Sequence, residues 1–61
     1  MFIKLTEANT LNGTVVHTAG VAYMMFDNDS DGTIIGFLNG DTIIVEESLE
    51  YIMKKIEGEK S

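Results

Sequence analysis

Two Asn-Gly dipeptides, Asn12-Gly13 and Asn39-Gly40, each stand between runs of strand-forming residues, and they constrain the fold more than any other feature. Asn and Gly tolerate positive φ, which a tight turn between antiparallel strands requires. Before the second dipeptide runs Thr33-Ile34-Ile35-Gly36-Phe37-Leu38, and after it Asp41-Thr42-Ile43-Ile44-Val45, so a hairpin is predicted there. Before the first, Met1, Ile3 and Leu5 alternate with Phe2, Lys4 and Thr6, the period of a strand. Thr14-Val15-Val16-His17-Thr18 follows as a second, β-branched strand. Val21-Ala22-Tyr23-Met24-Met25-Phe26 is apolar at every position, and its periodicity fits a strand or a buried helical segment equally.

The C-terminal part changes period. Leu49, Ile52, Met53 and Ile56 stand at i, i+3, i+4 and i+7 and define one apolar helix face. Glu46, Glu47 and Glu50 are expected in its first turn and Lys54 and Lys55 in its last, each favourable against the helix dipole. Glu50 and Lys54 are spaced for an i, i+4 ion pair, and Gly58 is placed to end the helix. The expected fold is mainly β: an antiparallel β-meander of four to five strands with one C-terminal amphipathic helix over about residues 46–57. Residues 1–58 would form a single small domain, with residues 59–61 as a frayed tail.

With 61 residues and no cysteine, the chain can bury only about 60% of its unfolded surface and has no disulfide to reinforce it. A partner subunit is the natural supplement. One short helix cannot cover both faces of a sheet whose strands are apolar on both sides, so the spare face either closes into a small barrel or meets another copy. Contact between copies is the favoured reading, through Val21, Tyr23, Met24, Met25 and Phe26 together with Ile35 and Phe37.

Ten acidic residues face four lysines, for a net charge of −6 and no arginine. Such a field repels polyanions, so direct nucleic-acid binding is not expected. No charged residue occurs in residues 8–26, but the polar residues within that stretch interrupt the run of about 20 apolar residues that a membrane span needs. A secretory leader also fits poorly, with Lys4 followed by Glu7, so a cytoplasmic location without membrane contact is expected.

Asp27-Asn28-Asp29-Ser30-Asp31-Gly32 has the alternate carboxylates and the glycine of a calcium loop's first half. Leu38, however, stands at the twelfth position, where that loop needs a bidentate glutamate, and Gly20, Gly36 and Gly40 interrupt the flanking helices it requires. The stretch therefore reads as a solvated turn, with a weakly held calcium ion on Asp27, Asp29 and Asp31 as the alternative. No other cofactor is expected. His17 has no second histidine or cysteine to share a metal and reads as structural. Ser30 and Ser48 lack an evident general base, and no catalytic constellation is visible.

The order Ile3-Lys4-Leu5-Thr6, Leu11-Asn12-Gly13, an acidic turn, Ile34-Ile35, Leu38-Asn39-Gly40 and Val45-Glu46-Glu47-Ser48 leading into Ile52 and Ile56 resembles the small FlbD/SwrD-like flagellar and swarming-motility proteins. Similar short proteins occur in bacteriophages. The chain departs from that pattern at Asn9 and Thr10, in the longer Asp-rich turn, and at Asp41, where the motility proteins carry more lysine. The resemblance implies a small accessory protein without catalytic residues and a motility-type role. The expected function is protein–protein binding as a homo-oligomer with an unidentified protein partner. The alternatives are a phage-encoded inhibitor, either an acidic decoy or an oligomer sequestering a small ligand, and a cation-binding module on the Asp-rich turn.

Overall fold

The structure, a computed structural model, describes residues 1–59. Five strands, β1 (Phe2–Thr6), β2 (Gly13–His17), β3 (Val21–Phe26), β4 (Thr33–Phe37) and β5 (Thr42–Val45), precede one helix, α1 (Leu49–Glu59). The mainly β class with a C-terminal helix is as the sequence predicts. The meander, however, is confined to β3-β4-β5, while β1 and β2 form a separate two-stranded sheet. A 3₁₀ turn, Thr18–Gly20, separates β2 from β3, so these consecutive strands are not neighbours.

The two sheets meet at one corner. Glu7 bridges Val45, the Glu46 N–H donates to the Thr6 carbonyl at 2.8 Å, and the Ala8 N–H donates to the Ile44 carbonyl at 2.9 Å. The Thr6 N–H donates to Glu47 Oε1 at 2.9 Å, so a side chain completes what backbone pairing leaves open. Glu46 and Glu47 therefore belong to this corner and not to the helix's first turn. The helix starts three residues later than predicted because Ser48 caps it: its Oγ accepts from the Tyr51 N–H at 3.0 Å.

The core is Ile3 and Leu5 from β1, Val16 from β2, Ile35 from β4, Val45 from β5 and Ile52 from α1. Every element except β3 contributes a fully buried apolar residue; Val21 and Met24 of β3 pack against the cluster half-buried. Burial in β1 follows the predicted alternation, with Ile3 and Leu5 inside and Phe2 and Lys4 outside. The helix presents Ile52 to the core, with Leu49 and Ile56 half-buried, whereas Met53 is exposed and stands outside the packed stripe. Thr33 is fully buried, and its hydroxyl donates to the Glu47 carbonyl at 2.8 Å. No buried side-chain polar atom among the described residues lacks a partner.

Both Asn-Gly turns differ in detail from the prediction. At Asn39-Gly40 the Gly40 N–H donates to the Phe37 carbonyl at 3.0 Å and only Gly40 has positive φ, 95°. The pattern fits a three-residue loop closed by a left-handed glycine, not a two-residue turn with both residues left-handed. At the first turn the left-handed residue is Leu11, φ 62°, and Gly13 already belongs to β2. The helix runs through Gly58 to Glu59, so Gly58 does not end it. Residues 60 and 61 of the expected tail lie outside the described residues. The predicted Glu50–Lys54 pair is present at 3.8 Å, on a fully solvated part of the helix.

Candidate interaction surface

Strand register decides which apolar residues are available to a partner. Met24, Ile35 and Ile43 lie across one another on the core side of the three-stranded sheet, while Met25, Ile34 and Ile44 form the adjacent row on the outer side. Tyr23 pairs with Gly36 on that same outer side. Ile35 is fully buried, so it cannot belong to a contact surface as the sequence suggested. Phe37, Val21 and Met24 are half-buried against the core. Of the seven predicted contact residues, Tyr23, Met25 and Phe26 are the exposed ones, each about half accessible. The residues missed are Ile34 and Ile44, both half-buried, because the phase of Ile34 against Met25 is set only by pairing across the Asp-rich turn.

Gly36 shows how the outer face is built. A Cβ at this position would collide with the Tyr23 ring, so the glycine forms the seat on which that ring lies. Tyr23 is thereby held flat over β4 and contributes to a surface continuous with Met25 and Ile34. Between Val21 and Tyr23 the pairing slips by one residue, a bulge that leaves Ala22 without a counterpart on β4.

The three candidate metal-binding carboxylates are not brought together. Asp27 uses its own turn: Oδ2 accepts from the Ser30 hydroxyl at 2.7 Å and Oδ1 from the Asp29 N–H at 3.4 Å. The Asp31 N–H donates to the Asp27 carbonyl at 2.9 Å, and Asp31 takes φ 59°. Among the described residues no group of three or more His, Cys, Asp or Glu side chains could hold a metal ion. Gly32 is fixed here by packing, since a Cβ would overlap the Val45 carbonyl oxygen.

His17 caps the 3₁₀ turn, its Nδ1 accepting from the Ala19 N–H at 3.4 Å, and its ring lies 4.3 Å from that of Phe2. A shallow hollow of about 70 Å³ lies against Met1, Phe2, Ile3, Lys4 and Lys55. Small-molecule sites usually offer about 300 Å³ or more. The exposed apolar row on β3 and β4 is accordingly the feature best suited to recognition.

No family model, curated protein or solved structure matches this chain. The likeness to the motility proteins thus rests on the short turn and strand motifs alone. No helix among the described residues is long and apolar enough to cross a membrane.

Proposed function

We propose that this chain is a non-enzymatic accessory protein of a bacterial or phage-infected cell, acting in the cytoplasm through protein contacts as a homo-oligomer. The observation that carries this reading is the apolar outer row of Tyr23, Met25, Ile34 and Ile44, with Phe26 half exposed at the other face of the same strand. An apolar surface on so small a core is the kind that a second subunit covers. The motility-type role follows from the resemblance only. Light scattering at micromolar concentration tests the association: a mass that is a multiple of 6.7 kDa is expected, and a 6.7 kDa particle refutes it.

A second reading, an acidic decoy for a basic protein, draws on the exposure of Asp29, Asp31, Asp41, Glu46, Glu50 and Glu57 together with the net charge of −6. Binding of that kind weakens steeply with salt. A host protein retained equally at low and high salt rules it out.

A further inference from the structure

The charge-free stretch, residues 8–26, contains β2 and β3, the two edge strands that meet no other strand on their outer side, β1 and β5 touching each other at the corner. Native edges are commonly blunted by lysine, proline or inward charge. Neither edge carries any of these, and the chain has no proline. With each copy at −6, this stretch is also where two copies meet at the least electrostatic cost.

Ladder alternation identifies the backbone groups that point outward. The Asp27 N–H donates to the Gly32 carbonyl at 3.1 Å, which makes Asp27 and Gly32 a hydrogen-bonded pair. Counting back, Met25 and Tyr23 also turn their backbone groups toward β4, and Met24 and Phe26 turn theirs to the open edge. On β2, the Glu7 N–H donates to the Asn12 carbonyl at 2.9 Å, and the same count leaves Gly13, Val15 and His17 facing outward.

Parity then excludes a mixed β2–β3 pairing, and of the two like-with-like pairings β3–β3 is the one that lies beside the outer apolar row. An antiparallel β2–β3 contact between copies would set outward-facing Val15 opposite Met24. Val15 lies on the solvent face of its sheet and Met24 on the core face, so the solvent side of one subunit would run into the core side of the other. A β3–β3 contact matches core side to core side. The bulge at Ala22 fixes its centre: an axis at Met24 would pair Phe26 with the bulged Ala22, whereas an axis at Met25 pairs Met24 with Phe26 and leaves the bulge beyond the paired strand residues, Tyr23 facing Asp27 just past the end of β3.

We propose that β3 pairs antiparallel with β3 of a second copy across a two-fold axis at Met25, joining two three-stranded sheets into one of six strands. The pairing rests on the self-association reading and places the contact at the edge of the apolar row, where Met25 meets Met25, while the outward faces of Ile34 and Ile44 stay open. Each Met24 exchanges two backbone hydrogen bonds with the other copy's Phe26, and the outer rows of Tyr23, Met25 and Ile34 become continuous across the axis. The two Met25 residues form a non-hydrogen-bonded pair with Cα atoms about 4.5 Å apart, within the range a disulfide spans.

Two experiments on the full chain test this. Amide exchange in the unmodified protein should show Met24 and Phe26 protected and Val15 and His17 exchanging freely. Met25→Cys, in a chain otherwise without cysteine, should oxidise to a covalent dimer on the order of a thousandfold faster than Val15→Cys, because pairing raises the local thiol concentration from micromolar to about millimolar. A multimer in which Met24 and Phe26 exchange freely, or in which Val15→Cys links as fast as Met25→Cys, overturns the two-fold pairing while leaving self-association intact. A monomeric unmodified chain overturns both.

Discussion

Ile52→Ala tests whether α1 is part of the core or an appendage to the sheets. Ile52 is the one fully buried residue among the described residues of the helix, and Leu49 and Ile56 on either side of it are only half-buried. An 11-residue helix is marginal in isolation and draws its order from packing. Truncating a buried isoleucine to alanine costs about 2–5 kcal/mol. A chain of this length holds only about 3–9 kcal/mol in total. A loss of about 3 kcal/mol would lower the melting temperature by about 12–24 °C at 4–8 °C per kcal/mol. Urea unfolding followed by circular dichroism, at one chain concentration because association contributes to stability, gives the value directly. Ile52→Val should cost about 0.5–1.5 kcal/mol and Met53→Ala, at an exposed position, about 0.5 or less. A loss below about 1 kcal/mol for Ile52→Ala would refute the placement of α1 in the core.

The two packed glycines should separate in the same assay. Gly32→Ala meets the Val45 backbone and is expected to cost about 1–3 kcal/mol or more, while Gly36→Ala meets a half-exposed Tyr23 ring that can swing outward and should cost less. Removing the cap with Ser48→Ala should cost about 0.5–2 kcal/mol, visible as a lower urea midpoint. Glu47→Ala leaves the part-buried Thr6 N–H without its acceptor and should cost about 1–3 kcal/mol, with Glu47→Gln, which retains an acceptor oxygen, restoring most of it. Millimolar calcium should leave the amide resonances of Asp27, Asp29 and Asp31 unmoved; saturable shifts there would show that the carboxylates converge on an ion.

Much of the fold was legible because its signals are local. The alternation of Ile3 and Leu5 with Phe2 and Lys4, the two glycine turns and the spacing of Leu49, Ile52 and Ile56 each act within a few residues. The contact surface was legible only in part. Tyr23, Met25 and Phe26 could be read as surplus apolar residues, but the choice of Ile35 over Ile34 failed because a shift of one residue moves a side chain to the opposite face. Nothing local marks that phase; it is set across the Asp-rich turn by the Asp27–Gly32 pair.

The sequence by itself determined that this chain is a small β protein with a terminal helix, that its acid is concentrated outside residues 8–26, and that no disulfide supports it. The tertiary structure decided the rest through long-range contacts. Thr6, 41 residues before Glu47, takes its carboxylate into the corner, and Ser48 just beyond it caps the helix that starts at Leu49. Pairing of β4 with both neighbours buries Ile35 and leaves Ile34 on the outer row. The separation of β2 from β3 by the 3₁₀ turn opens two uncharged edges where a single meander would have paired them with each other. Pairing partners far apart in the chain fix these outcomes, and a pattern of nearest neighbours does not encode them.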